Sequence, residues 1–228
     1  MFKSAINKAN EKGMASESMN QVEITKNLKN GYLALAATFG MTVLGYVIGM
    51  MFLPQIAGAI TGVGGILLFM VAMIGMIFAI SAFQDSYIGF ILLLAFGVIE
   101  GIFLTPLIAM SSSNAIISAL CGTVIAAVAT SAIAFSGKVD SAGWGKFLLP
   151  LLIAMLVGVV VNLFLQSTGF QIMLSLGIIA LMSAFMVYDT QQALKYPKKS
   201  YVAVALGFYL NIINIFINLL SLFGLSDD

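Results

Sequence analysis

Histidine and arginine are absent from this 228-residue chain, cysteine occurs once, and charged residues make up only 8% of it. Each shortage closes a class of function. Without histidine no imidazole is available as a general acid or base, and Cys121 alone completes neither an internal disulfide nor a zinc site of the usual ligand types. A soluble domain carries about 25% charged residues. A chain that is 61% hydrophobic with a mean hydropathy of +1.09 is therefore not one. The formal net charge of +1 points to no particular charged partner, and no nucleic acid is expected as one.

What is present is hydrocarbon-compatible sequence in long runs. Apolar stretches lie at about 31–53, 57–80, 87–110, 114–135, 146–166, 170–194 and 200–223. A helix needs about 20 residues to cross a ~30 Å hydrocarbon core, so seven spans account for 31–224 as one all-α transmembrane bundle. The bundle must then carry the function, because little chain is left outside it. Residues 1–30 hold five lysines among Asn, Ser and Glu and lack the apolar core of a cleaved signal peptide. They are expected to be an unstructured cytosolic tail. Residues 225–228 form a short tail at the other end.

The breaks between runs are polar or carry proline: Pro54-Gln55, Gln84-Asp85-Ser86, Ser111-Ser112-Ser113-Asn114, Gly137-Lys138-Val139-Asp140, Ser167-Thr168-Gly169 and Lys195-Tyr196-Pro197-Lys198-Lys199. Assigning them alternately to two sides puts all ten lysines on one side: five in the tail, two between spans four and five, and three between spans six and seven. The positive-inside rule then places the N-terminus in the cytoplasm and Asp227-Asp228 outside.

Only two acids interrupt the seven runs, Glu100 in span three and Asp189 in span six. A carboxylate in hydrocarbon is costly and usually functional. Glu100 lies near mid-membrane, and Asp189 lies six residues before Lys195, roughly 9 Å from the end of its helix at 1.5 Å per residue. Two roles are open to each: a titrating group on a water path, or a protonated acid that ties helices together. For Glu100 the second is helped by Thr105-Pro106, since a proline frees a backbone carbonyl for a local polar network.

Span seven carries Asn211, Asn214 and Asn218 at spacings of three and four, so the amides share one helix face. Asn162 and Gln166 in span five repeat the four-residue spacing, and together these faces are candidates for a polar seam or for amide bonds between helices. Gly58, Gly62 and Gly65 in span two, and Gly97 with Gly101 in span three, read as close-packing positions. The fourteen methionines and seventeen phenylalanines read as core and lipid-facing filling.

Tyr188-Asp189-Thr190-Gln191 near the end of span six, followed by Tyr209-Leu210-Asn211-Ile212-Ile213-Asn214-Ile215-Phe216, resembles the Bax inhibitor-1 (transmembrane BAX inhibitor motif) family. Glu100-Gly101 with Leu104-Thr105-Pro106-Leu107 resembles that family's third helix, and Asn162 to Gln166 with Leu219 to Gly224 is similar to its bacterial inner-membrane, YccA-like branch. The resemblance covers residues 31–224. It implies a seven-helix bundle wrapped around span seven, a pH-sensitive calcium leak through its centre, and association with an FtsH-type membrane protease through residues 1–30. In the family a pair of aspartates on the last two helices shares a proton. Asp189 matches the first member, whereas the second position is Asn211, and the arginine latch of some members has no counterpart here.

The expected pore and proton-sensing residues are thus Asp189, Asn211, Glu100 and Asn214, with Tyr188, Thr190, Gln191, Gly101 and Pro106 as family-motif positions. No cofactor is expected. Calcium or another cation would pass weakly, because a hard divalent ion takes six to eight oxygens and preferably several carboxylates. An intramembrane aspartyl protease needs two facing acids, and Glu100 and Asp189 lie at different depths, so no enzyme is expected.

Overall fold

The computed structural model describes residues 2–60, 62–196 and 200–225, with the side chains of 2–16, 57, 59 and 60 excepted. Pro197-Lys198-Lys199 and Asp227-Asp228 lie outside the described residues. Eight helices follow one another: α1 (Phe2–Met51), α2 (Leu53–Ile60), α3 (Val63–Ala82), α4 (Tyr87–Met110), α5 (Ser113–Phe135), α6 (Gly145–Leu165), α7 (Thr168–Lys195) and α8 (Tyr201–Gly224). All but α2 are long and apolar enough to cross a membrane. There is no strand among the described residues.

The serine-rich breaks end the spans by capping the helices that follow. Ser86, Ser112, Ser167 and Ser200 each accept a hydrogen bond from a backbone N–H in the first turn of α4, α5, α7 and α8. Such caps satisfy donors that a helix start otherwise leaves unpaired.

Two expectations about the first third of the chain are corrected. The segment 2–30 is not an unstructured tail but the first part of α1, continuous with the span. It contains no proline, and its Ala, Lys, Glu, Met and Gln are good helix formers, so nothing stops the helix before Met51. Span two does not run unbroken over 57–80. Pro54 enters the first turn of the short α2, where a proline is tolerated, and α3 restarts after Gly62, whose backbone is extended.

α8 is the axis of the bundle. In its apolar window 61% of residues are buried, against 6% in α6 and 11% in α3, which face lipid instead. It packs directly on α1, α5 and α7, and the interior gathers around Phe208, Tyr209, Ile215 and Leu220 of α8 with Leu93 and Phe96 of α4 and Ile80 of α3.

The tightest helix pair is α1 with α4. Gly45 and Gly49 on one helix, and Gly97 and Gly101 on the other, are each four residues apart, and they mesh. A Cβ on Gly45 would collide with the Val98 carbonyl, on Gly49 with the Thr105 hydroxyl, on Gly97 with the Thr38 carbonyl at 2.7 Å, and on Gly101 with the Thr42 carbonyl. Small residues at this spacing let two backbones approach closely in lipid, where packing replaces the hydrophobic effect as the driving force. Gly58 and Gly62 do not serve this purpose, since a Cβ at either would meet nothing within 4 Å.

Candidate functional site: a polar seam between α7 and α8

α8 presents to α7 a stripe that repeats every four and three residues: Gly207, Asn211, Asn214, Asn218 and Ser221. That period keeps the five positions on one helix face. Near the α7–α8 connection, Asn211 Nδ2 donates to Asp189 Oδ2 over 2.9 Å. Asn211 is buried and Asp189 half-buried. The carboxylate lies directly over Gly207, where a Cβ would be 3.0 Å from Oδ2 and 3.3 Å from the carboxyl carbon. Gly207 therefore makes the recess that seats the acid against the central helix. Its place one turn before Asn211 was the readable signal for that role.

Further along the stripe, Asn214 Nδ2 donates to the Leu210 carbonyl and Asn218 Nδ2 to the Asn214 carbonyl, both over 2.8 Å. With the amide nitrogens turned back onto their own helix, these two side chains do not tie α8 to a neighbour. The side-chain oxygens are the atoms turned away from the backbone.

The expected contribution of α6 to the seam does not occur. Asn162 Oδ1 accepts from Ser167 N at 3.3 Å, and Gln166 is exposed with a φ of 50°, so this pair closes the end of α6. The partner supplied in its place is one that spacing in α6 gave no hint of: Gln171 Nε2 on α7 donates to Ser221 Oγ over 2.8 Å.

Glu100 belongs to a different region. It lies on the α4 stripe formed with the buried Leu93, Phe96, Gly97 and Leu104. That stripe meets α1 and the Tyr209 side of α8, where the fully buried Tyr209 hydroxyl is 2.9 Å from Thr42 Oγ1 and its ring packs on Phe39 and Phe96. Tyr209 is two residues from both Gly207 and Asn211, hence about 200° around a helix of 3.6 residues per turn. Glu100 and Asp189 therefore approach α8 from opposite sides. Beside Pro106, Thr105 Oγ1 donates to the Gly101 carbonyl at 3.0 Å and leans towards the Tyr46 carbonyl of α1 at 3.5 Å.

The family model described as "Inhibitor of apoptosis-promoting Bax1" matches residues 24–228. The chain belongs to the Bax inhibitor-1 family. An uncharacterized protein of Helicobacter pylori is 29% identical over 97% of this chain and 96% of its own length. The "Modulator of FtsH protease YccA" of Escherichia coli is 25% identical over 88% of this chain and 90% of its own length. The "Golgi anti-apoptotic protein" of vaccinia virus is 26% identical over 71% of this chain and 69% of its own length.

The motif positions of this Bax inhibitor-1 protein have separate duties. The Tyr188 hydroxyl lies where a Cβ on Gly145 would be, 2.8 Å away, so it rests on the start of α6. Thr190 donates to the Met186 carbonyl within α7 over 2.7 Å. Gln191 clamps the α5–α6 connection. Its Oε1 accepts from Ser141 N at 3.0 Å and Ser141 Oγ at 2.7 Å, while Nε2 donates to the Val139 carbonyl at 2.6 Å and reaches the Ala134 carbonyl at 3.4 Å. Gly101 belongs to the α1–α4 contact, and Pro106 follows Thr105 inside α4. Among the described residues no three His, Cys, Asp or Glu side chains gather to hold a metal ion.

The same connection is pinned once more by Lys195 Nζ on Asp140 Oδ1 at 2.9 Å. The Lys195 hydrogen bond, helped by the Ala142 backbone N–H, holds the Asp140 carboxyl below the usual carboxylate range. A lowered folded-state value means that the pair's contribution is present above the ordinary carboxylate pKa and disappears as pH falls through the depressed one. The pair is exposed, so its effect on stability is small. In Lys195→Met the Asp140 titration followed by carboxyl NMR is expected to move back towards the ordinary value. An unmoved midpoint would assign the depression to Ala142 instead.

Proposed function

We propose that this Bax inhibitor-1 protein is a non-enzymatic, pH-influenced cation leak whose path follows the α7–α8 seam. The Asp189–Asn211 bond is the observation that carries this reading: an intramembrane acid is seated in a glycine recess on the central helix and held by an amide. With the pair bonded the seam is closed at that end. When it parts, Asp189 offers a carboxylate to a cation, and Asn214 and Asn218 offer carbonyl oxygens beyond it. One carboxylate with neutral oxygens suits weak binding, and an ion must bind weakly enough to leave again. Calcium is the divalent candidate, passing at low affinity. The lysine-bearing end faces the cytoplasm by the positive-inside rule, and the membrane is the inner membrane of a bacterium.

The test is calcium and proton-linked flux in liposomes containing the purified protein. Asp189→Asn is expected to lower the flux to the protein-free level by removing the charge. Asn211→Ala is expected to raise it several-fold by releasing the lock. Equal flux in all three proteins would refute the path.

A second reading is favoured by the printed name of the Escherichia coli relative: a regulator that binds an FtsH-type membrane protease. The helical segment at the N-terminus would be the handle. Ile24 is already buried, so the truncation that tests the handle stops at residue 16. Loss of protease co-purification with flux retained would support the handle, and the reverse pattern would refute it.

A further inference from the structure

We infer that Gln171 and Ser221 form a second lock on the seam, at the end where α8 terminates, so that the path rests closed at both ends. This inference builds on the seam being a path, but its geometry is independent of Asp189. Ser221 is the last position of the Gly207-Asn211-Asn214-Asn218 register, three residues beyond Asn218, and so lies on the face that meets α7. Gln171 is near the start of α7, and its Nε2 donates across the interface to Ser221 Oγ over 2.8 Å in a half-buried setting. The bond spans the two helices that line the seam, as Asn211 to Asp189 does at the other end.

The surroundings of this bond are those of a closed entrance. A cavity of about 510 Å³ opens at this end of the bundle, lined by Ser111 and Ser112 of the α4–α5 connection, by Gly224 and Leu225 past the stripe, and by Gln171 and Ser221 themselves. Its polar lining, the Ser111 and Ser112 side chains and the bonded Gln171 and Ser221, stands among the apolar Leu107, Met110, Leu220 and Leu225, and Asn218 lies three residues back along α8 from Ser221. The two ends also differ in chemistry. Asp189 carries an ionisable group, whereas none of the described residues lining the far cavity does. The far lock is a neutral hydrogen bond and parts without any change of protonation in its two partners, whereas the other lock contains an acid.

The experiment places a reporter between the locks. Asn218→Cys in a Cys121→Ser background, reconstituted in vesicles, is treated with a membrane-impermeant thiol reagent from each side in turn. Ser221→Ala is expected to speed labelling from the side of the α8 C-terminus about threefold, the factor that matches the ~0.6 kcal/mol average of hydrogen bonds between membrane helices. Labelling from the other side should not change. Gln171→Leu should act alike, Ser221→Thr should keep the wild-type rate, and, because the thiolate is the reacting form at every pH, it is the ratio of the Ser221→Ala rate to the wild-type rate from this side that should not depend on pH. Asn211→Ala should show the mirror pattern.

An unchanged rate from the α8 C-terminal side in both Ser221→Ala and Gln171→Leu would overturn the second lock. Faster labelling without any ion flux would uphold the lock while refuting conduction, so the two failures are separable.

Discussion

Gly101→Leu is expected to leave no stably folded bundle. The Cβ alone would collide with the Thr42 carbonyl, and the backbone N–H of Tyr46 would be 2.9 Å away. Both are backbone atoms of α1, so no side-chain rotation relieves the clash and the two helices must move apart. Separation would also pull Thr105 from Tyr46 and undo the matching contacts of Gly45, Gly49 and Gly97. Overpacking in a well-ordered core typically costs about 1–3 kcal/mol, occasionally more. Here four reciprocal contacts fail together, which puts the cost at or above the upper end. Thermal unfolding in detergent measures it. Gly101→Leu should be aggregated or strongly destabilised, Gly101→Ala intermediate, and Gly58→Leu close to wild type because a Cβ there meets nothing within 4 Å. Equal transitions for Gly101→Leu and Gly58→Leu would show that the α1–α4 contact carries no stability.

The second large effect is expected at Gln191, which is 5% exposed. Gln191→Leu keeps most of the side-chain volume but removes the partner of Ser141 N, Ser141 Oγ and the Val139 carbonyl at once. A buried donor or acceptor left unpaired costs about 1–3 kcal/mol. The sum is limited, however, because the connection between α5 and α6 ends in solvent and can lift off α7 to be hydrated. The expected outcome is local opening rather than global unfolding. Amide exchange at Ser141 and Ala142 should accelerate at least tenfold, corresponding to about 1.4 kcal/mol, while core amides of α8 such as Ile215 keep their protection. Acceleration spread evenly over α7 and α8 would mean that Gln191 holds the whole bundle and not the connection alone. Because Gln191 is two residues from Asp189, the same variant also tests whether the connection helps to position the acid.

The particular misreadings have common physical causes. The α1 extension was mistaken for a tail because polar composition was taken as disorder, although composition rich in helix formers with no proline is equally a helix that has left the membrane. Asn162 and Gln166 read from sequence as candidates for the seam or for amide bonds between helices, because a four-residue spacing locates residues on a common face without saying where that face points. Glu100 and Asp189 were separable by depth in the sequence, but their approach to α8 from opposite sides was not.

Lipid leaves a chain few choices: every backbone polar group must be paired within a helix or a closed barrel. Span number and helical class were therefore determined by residue order alone, and the family motifs singled out Asp189 and Asn211. Tertiary structure decided the rotation of each helix about its own axis, and with it the seating of Asp189 over Gly207, the Gln171–Ser221 contact, the Gln191 clamp and the glycine mesh of α1 and α4. Rotation is settled by how side chains of distant segments fit together, and that fit is not a local property of any one run.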